Sequence, residues 1–390
     1  MRKLPPMKPL WTITQVLRGL PNRRRDSVPR ADEIDSLLVV ELTRLGDVLS
    51  MLPAVRLLVS AYPFAIIHLF VDELYAPLLR GLELDIQVHG IPASATAAGL
   101  LRAIRTARKL NVRLACSMSP AKRNVILTMS SGSRFKVGYL HAVHSLVHYL
   151  SQARVESRGF ALQADISCGA DNIEERGLKV CLGLGLRPDG PLPPLELRAG
   201  LCDEVMDRPG MQGALPNGDY VVIHPFSGWR YRSWSLANYF DLARLLTSRM
   251  EVEVVFLFVP RERTEWEKSL KYWGGEPQPR VFSSGDLLES AVLMKGAALF
   301  VGNDSGPLHL AACLGIPRIG LFGPSSPSLT APRAGNGTYM YKEVDCSPCA
   351  QTQCIRPETP CIDLIDVDEV FEAALQAVQN RRPTRSAAHG

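Results

Sequence analysis

Short runs of aliphatic and aromatic residues alternate with helical patterns along most of this 390-residue chain. Strands are predicted at residues 37–42, 66–71, 112–117, 135–138, 220–224, 252–259, 280–282, 298–301 and 318–322. Helices are predicted at residues 53–61, 97–110, 173–184, 236–250, 261–272, 287–296, 307–314 and 366–378. Such an alternation predicts an α/β protein whose parallel sheets are covered by helices.

The chain is too long for one ordinary domain, and its composition changes near the middle. Residues 185–218 are rich in proline and glycine, which predicts a connection between two domains. The expected division is a basic arm (1–35), a first domain (36–184), a linker (185–218), a second domain (219–365), and a final helix with its tail (366–390). We expect two Rossmann-like, doubly wound domains that face a central cleft.

Composition restricts the classes of protein to consider. With 46% hydrophobic and 21% charged residues, the chain matches globular, core-forming proteins. No apolar run reaches the roughly 18 residues of a spanning helix. The N-terminus has no apolar core of a secretory signal. We therefore expect the protein to reside in the cytoplasm.

The positive charge is concentrated at the N-terminus. Residues 1–30 contain eight lysines and arginines and one acid, so this segment carries +7 and the remainder is near −2. Leu10, Ile13, Leu17 and Leu20 share one face at helical spacing. A basic amphipathic helix of this kind suits an anionic membrane surface, although a disordered arm or a helix docked on the body is the open alternative. Nucleic acid is not an expected partner, because the body has no basic face interleaved with aromatic residues.

Polar residues follow the strand predicted at residues 298–301. Asp304, Ser305 and Gly306 lie between this strand and the next predicted helix, and His309 lies in the first turn of that helix. A helix that begins at a strand's carboxyl end presents backbone N–H groups and a positive dipole to an anion. A diphosphate is the simplest such anion, with His309 reaching it and Asp304 accepting sugar hydroxyls. The alternative is a helix N-terminus capped by Asp304 or Ser305.

Two other strand ends carry similar residues, and together the three segments resemble a known family. The segments are LVVELTRLGDVLSMLPAVRLL (38–58), VVIHPFSGWRYRSWSLANYFDLARLL (221–246) and LFVGNDSGPLHLAACLGIPRIGLFGPSSP (299–327). In this order and spacing they resemble the lipopolysaccharide heptosyltransferases of glycosyltransferase family 9. The resemblance covers roughly residues 37–374. It implies the GT-B type of fold, in which the first domain binds the acceptor and the second binds the nucleotide sugar.

The resemblance also assigns roles to particular residues. Asp47, in the same Leu-Gly-Asp context, is the expected general base, although an acid at this place could instead cap the following helix. Ser227, Arg232, His309 and the backbone at Ser305–Gly306 are expected to bind the leaving diphosphate. Glu262 resembles the position that contacts the ribose, with a first-turn helix acid as its alternative.

Three positions depart from the pattern of the family. Arg232 stands where related enzymes often have lysine, and it keeps the charge with a different geometry. Gly228 replaces a hydroxyl residue. Glu41 replaces a basic residue, and it either changes the contacts to the acceptor or forms a local ion pair.

Two groups of residues raise the question of metal binding. Cys346, Cys349, Cys354 and Cys361 have spacings that suit either a structural metal or reduced thiols. His141, His144 and His148 more readily form a helical face than a metal site. No divalent metal is expected in catalysis, because no Asp-x-Asp motif was identified to hold one and cationic and dipolar groups can stabilise the leaving diphosphate.

The predicted function is that of an inverting glycosyltransferase. It would transfer heptose from ADP-heptose, a co-substrate, to a lipopolysaccharide inner-core sugar, without a cofactor, as a peripheral enzyme at the cytoplasmic face of the inner membrane. The alternatives are another nucleotide sugar or acceptor, such as a different surface glycan or a protein, and a catalytically silent nucleotide-sugar-binding protein.

Overall fold

A computed structural model describes residues 29–381 except 139–171 and the single positions 93, 95, 191, 276 and 350. The amphipathic pattern of residues 10–20 and the histidines at 141, 144 and 148 lie outside the described residues. The described strands form two separate parallel sheets, one from each half of the chain.

The first sheet has five strands in the order β3-β2-β1-β4-β5. These are β1 (Ser36–Val40), β2 (Ile66–Asp72), β3 (Gln87–Ile91), β4 (Leu114–Ser117) and β5 (Phe135–Gly138). The chain begins at β1 in the middle, builds outward to β3, and then returns to the other side of β1. The topology therefore changes direction between β1 and β4.

The second sheet has six strands in the order β11-β10-β9-β6-β7-β8. These are β6 (Tyr220–His224), β7 (Glu253–Phe258), β8 (Arg280–Ser283), β9 (Leu299–Asn303), β10 (Arg318–Phe322) and β11 (Gly337–Tyr341). Its change of direction lies between β6 and β9, which pair with Ile223 beside Val301.

Helices connect the strands and cover the sheets. In chain order they are α1 (Leu45–Ser50), α2 (Leu52–Ala61), α3 (Ala76–Arg80), α4 (Ala97–Leu110), α5 (Lys122–Ser130), α6 (Ile173–Gly183), α7 (Leu201–Met206), α8 (Leu236–Met250), α9 (Arg263–Ser269), α10 (Leu287–Gly296), α11 (Gly306–Cys313), α12 (Pro327–Thr330) and α13 (Val367–Arg381). Aliphatic side chains of the central strands are fully buried beneath them, as expected for parallel sheets covered on both faces.

The two halves pack against each other through an apolar interface. One continuous core cluster joins side chains of α1 and α2 to side chains of α10 and α11. The segment between the halves binds both of them: Arg198 N donates to Gly81 O, and Leu195 N donates to Cys313 O, each at 2.8 Å. Because this segment is held on both sides, it contributes to the interface as well as connecting the sheets.

The predicted strand-and-helix alternation is confirmed, with two differences that matter for function. The first helix was predicted to begin at residue 53, but Asp47 already lies in the first turn of α1, because the chain becomes helical directly after the extended N-cap residue Arg44. The helix α7, inside the segment predicted as a linker, was missed because six residues are too few to show a periodic pattern.

Candidate active site

The two changes of strand order place the candidate site residues at two crevices. In open α/β sheets, ligands bind where the connections from neighbouring strands leave in opposite directions, at the carboxyl ends of the strands. In the first sheet the residues after β1 and β4 flank this crevice. In the second sheet it is flanked by the residues after β6 and β9. The residues predicted from the sequence follow β1, β6 and β9, and Glu262 follows β7.

Asp47 is half-buried near the N-terminus of α1, where the helix dipole favours a carboxylate. Its side chain accepts no hydrogen bond and forms no ion pair with any residue that the structure describes. The capping role that was its alternative is therefore absent, since its carboxylate accepts no backbone N–H group at the start of α1. Asp47 is left available to a substrate group.

Helices α1 and α11 contact each other across the domain interface, and two positions in this contact are occupied by glycine, which has no side chain. A methyl group on Gly46 would lie 3.1 Å from Cδ2 of His309, and one on Gly306 would lie 3.0 Å from Cδ2 of Leu45. Both distances are shorter than ordinary carbon contacts. Glycine at these two places lets the beginnings of α1 and α11 approach, and Asp47 is thereby brought close to the carboxyl edge of the second sheet.

His309 lies inside this contact rather than in open solvent. Its Nδ1 is 3.0 Å from Oγ of Ser50, and its side chain is buried. Burial lowers the pKa of His309, while the carboxylates of Asp304 and Asp47 act in the opposite direction. His309 is thus a neutral imidazole at neutral pH that joins the two domains and lies near both carboxylates.

Asn303 at the end of β9 fixes the loop that follows β6. Its Oδ1 accepts hydrogen bonds from Trp234 N and from the Tyr239 hydroxyl, both at 2.9 Å, and its Nδ2 donates to Pro225 O at 2.8 Å. These groups are buried, so each would be costly to leave unpaired. Asn303 therefore sets the position of the β6 loop relative to α11.

Two polar atoms on the loops that Asn303 joins are buried without a partner. They are Oγ of Ser305, at the N-cap of α11, and Nε of Arg232. Nη2 of the same guanidinium donates to Oε1 of Gln351. In native structures buried polar atoms are nearly always hydrogen-bonded. Two such atoms without partners at one crevice therefore indicate a place for a ligand.

Ser227 belongs to the same loop, but its hydroxyl is already used. It donates to Trp229 O at 2.8 Å and lies 3.0 Å from Oγ of Ser233. In this arrangement Ser227 shapes the loop.

Asp304 and Glu262 each have one carboxylate oxygen engaged and one without a partner among the described residues. Oδ2 of Asp304 accepts from Ser325 at 2.5 Å and from Thr330 at 3.2 Å. Oε2 of Glu262 accepts from Val259 N at 3.0 Å, which is the local capping contact anticipated as its alternative role. The second oxygen of each carboxylate can still receive a hydroxyl group.

Glu41 forms a polar cluster at the crevice of the first sheet. Its Oε1 accepts from Thr43 at 2.5 Å, from Asn124 at 2.8 Å and from Ser119 at 3.1 Å. Asn124 also accepts from Leu42 N at 2.9 Å. Burial raises the pKa of Glu41 to about 7, and the nearby carboxylate of Asp47 adds to this shift. The predicted ion pair is absent, since the donors in the described chain are neutral.

The cysteines of the C-terminal region form no metal site in the described chain. Burial raises the pKa of the Cys361 thiol, and Cys346, Cys349 and Cys354 are near enough to raise it further. Nevertheless, no group of three or more His, Cys, Asp or Glu side chains among the described residues is placed to hold a metal ion. An Asp-x-Asp sequence occurs at Asp366–Asp368, where Asp366 accepts from Asp368 N at the start of α13.

Sequence reasoning missed three contributors to this region: Ser50, Asn124 and Asn303. Asn303 could have been noticed as an amide directly after a buried strand. Ser50 and Asn124 meet their partners His309 and Glu41 only through the tertiary fold, so the local sequence carries no signal for them.

The chain is similar to one family of enzymes. The family model described as glycosyltransferase family 9 (heptosyltransferase) matches residues 189–359. Lipopolysaccharide heptosyltransferase 1 of Pseudomonas aeruginosa is 27% identical over 167 residues, which cover 43% of this chain and 44% of the relative. Lipooligosaccharide heptosyltransferase 2 of Campylobacter jejuni is 31% identical over 83 residues, which cover 21% of this chain and 26% of the relative. The matches thus span less than half the length of these relatives.

Solved structures of similar fold cover more of the chain. A glycosyl transferase of family 9 from Veillonella parvula aligns with a TM-score of 0.73 and 17% identity, over 89% of this chain and 97% of that one. The E. coli ADP-heptose lipopolysaccharide heptosyltransferase II aligns with a TM-score of 0.68 and 18% identity, over 88% and 99%. These likenesses confirm the predicted two-domain fold of the GT-B type.

The stability of the protein should depend on pH through Glu41. A carboxyl whose pKa rises from 4.5 to about 7 on folding holds its proton more tightly in the folded state. Folding stability must therefore fall as pH rises between these values, by about 3 kcal/mol in all. Replacing Glu41 with glutamine removes this dependence and keeps an oxygen for Thr43, Ser119 and Asn124.

Urea unfolding at pH 5 and pH 8 checks this expectation. The free energy of unfolding of Glu41→Gln, relative to the unmodified protein, should be higher at pH 8 than at pH 5. Glu83→Gln, at an exposed site in the same domain, is the control and should show no such change. A pH-independent difference for Glu41→Gln would contradict the buried, protonated carboxyl.

Proposed function

We propose that this chain, which is similar to glycosyltransferase family 9, transfers heptose from ADP-heptose to a sugar of the lipopolysaccharide inner core. One observation carries the proposal. The unengaged carboxylate of Asp47 and the unpaired buried atoms of Arg232 and Ser305 lie at the carboxyl edges of two facing sheets, which α1 and α11 hold together. A proton acceptor on one side and anion-binding groups on the other are what transfer from a nucleotide sugar requires.

The second domain would bind the donor. The N-terminus of α11 offers backbone N–H groups and a positive dipole, while Ser305 and Arg232 offer a hydroxyl and a guanidinium. All of these suit the diphosphate of ADP. The free carboxylate oxygen of Asp304 would accept a hydrogen bond from a hydroxyl group of the sugar, and that of Glu262 would accept one from a hydroxyl group of the ribose. His309 would act on the diphosphate as a neutral imidazole, from its position between the domains.

The reaction would be a direct displacement with inversion. Asp47 takes the proton of an acceptor hydroxyl while that oxygen forms a bond to the anomeric carbon of the donor. The bond from the anomeric carbon to the diphosphate breaks, and ADP leaves with the electron pair. The cationic and dipolar groups of the second domain stabilise the charge that develops on the diphosphate. No cofactor takes part in this proposal.

Membrane association belongs to the same proposal. In the part of the chain that the structure describes, no helix is both long and apolar enough to cross a bilayer. The acceptor is anchored to lipid, and the basic segment before residue 29 offers positive charge for an anionic surface. We therefore place the protein in the cytoplasm, peripherally bound at the inner face of the inner membrane.

Replacing Asp47 with asparagine tests the general base. The amide keeps the size of the side chain but cannot accept the proton. We expect kcat to fall by at least about 10²-fold, because general-base catalysis typically contributes that much. ADP affinity, measured by calorimetry, should be nearly unchanged. Turnover close to that of the unmodified protein would remove Asp47 from this role, and turnover lost together with ADP binding would indicate damage to the fold.

Arg232 and Arg230 provide a matched pair for the donor site. Arg232 has the buried, unpaired Nε, whereas Arg230 is exposed and stacks over the Tyr231 ring at 4.9 Å. Arg232→Met should raise the dissociation constant of ADP about 10- to 100-fold, since a hydrogen bond to a charged group contributes about 1.5–3 kcal/mol. Arg230→Met should change it little. Equal losses in both variants would exclude a specific contact from Arg232.

Deleting residues 1–28 tests the membrane contact. The deletion removes seven lysines and arginines but keeps the described body of the chain. Turnover on a soluble, delipidated acceptor should persist, while sedimentation with anionic vesicles should fall. Salt at 1 M should release the full-length protein, because the Debye length then falls to about 3 Å. If the shortened protein sediments as well as the full-length protein, the membrane contact lies elsewhere.

A further inference from the structure

Glu41 occupies a position in the first sheet that corresponds to the position of the proposed donor-binding residues in the second sheet. It directly follows β1, and its partners Ser119 and Asn124 follow β4, so the cluster lies between the two strands where the order of the sheet changes. Crevices of this kind are where open α/β sheets bind their ligands. Asp47 follows the same strand six residues later.

The two carboxylate oxygens of Glu41 differ in the number of hydrogen bonds that they accept. All three donors bind Oε1, and Oε2 has no hydrogen-bond partner in the described chain. The side chain is only 1% exposed, which is rare for a carboxyl group without a cation. A role limited to holding β1 against α5 would not account for the open oxygen.

The charges around Glu41 restrict what can bind there. None of the lysine, arginine or histidine side chains in the described chain forms an ion pair with it. The nearby charged group that affects it is Asp47, which has the same sign. At pH 8, above the pKa of about 7, a phosphate or carboxylate at Oε2 would face the like charges of Glu41 and Asp47, whereas a hydroxyl group could donate a hydrogen bond.

We propose that Glu41 determines acceptor specificity, because its Oε2 binds a neutral hydroxyl group of the acceptor next to the reacting one. The inference rests on the proposed function and deepens it. It specifies the acceptor as a sugar that is uncharged beside the reacting hydroxyl, and it excludes acceptors that carry phosphate at that position.

The test compares two forms of one acceptor at pH 8. The probes are a delipidated lipopolysaccharide inner-core fragment with its phosphate groups and the same fragment after dephosphorylation. For the unmodified protein, kcat/KM should be at least about tenfold higher with the dephosphorylated fragment, since like charges at a binding site cost a factor of this order or more. Glu41→Gln should reduce this preference to near unity by raising KM for the neutral fragment and lowering it for the phosphorylated one.

Two controls separate specificity from structure. Asp85→Asn removes an exposed carboxylate of the same domain and should keep the preference. Ser119→Ala removes a donor from Oε1 only and should also keep it, whatever its effect on stability. A preference unchanged in Glu41→Gln, or absent in the unmodified protein, would overturn the inference.

Calorimetry distinguishes this failure from failure of the proposed function. The two fragments are titrated into the protein saturated with ADP, so that acceptor binding is measured without turnover. If no fragment is turned over but the dephosphorylated one binds more tightly, and Glu41→Gln removes the difference, the specificity of Glu41 stands and the proposed reaction does not. If turnover occurs with equal affinity for both fragments, the reaction stands and the role of Glu41 is refuted.

Discussion

The close contact between the first turns of α1 and α11 is the constraint on which the rest of the site depends. Each helix begins at the carboxyl end of a strand, and each has a glycine where a larger residue would force the helices apart. His309 fills the remaining space and binds Ser50 across the interface. The contact therefore fixes the distance between two sheets that share no strand. A small displacement in such a contact would reduce the reaction rate, because catalysis depends on reacting groups held in position to within about 1 Å.

Polar groups at the carboxyl edges of the sheets divide into two kinds. Asn303 is fully buried, both polar atoms of its side chain are hydrogen-bonded, and it positions the loop after β6. Arg232 and Ser305 each retain a buried atom without a partner. A saturated network stabilises the local backbone, whereas an unsatisfied group costs stability until a ligand pairs with it. The structure thus combines a hydrogen-bonded frame with unpaired groups that a substrate could satisfy, which is a common arrangement in preorganised sites.

The order of strands and helices could be predicted from the sequence because buried parallel strands are short, apolar and regularly spaced. The helix α8 and the strand β10 were predicted with their observed bounds, while α3 and β3 were missed, since short elements leave little periodic signal. The candidate residues after β1, β6 and β9 were found because function concentrates at strand ends. The hydrogen bonds and the burial of these residues could not be predicted. The pairing of Ser50 with His309 and the burial of Glu41 depend on residues far apart in the chain.

Glu41 shows how stability and function can oppose each other in one side chain. Its burial costs stability progressively as pH rises from about 4.5 to about 7, because the carboxyl loses its proton at a lower pH in the unfolded chain than in the folded protein. An apolar residue at the same position would avoid this cost, yet it would remove one of the two acceptors of the Asn124 side-chain amide. Sites that break the ordinary rules of burial are commonly those that contact ligands. The unused oxygen of Glu41, near the unengaged carboxylate of Asp47, makes this exception the basis of the proposed contact to the acceptor.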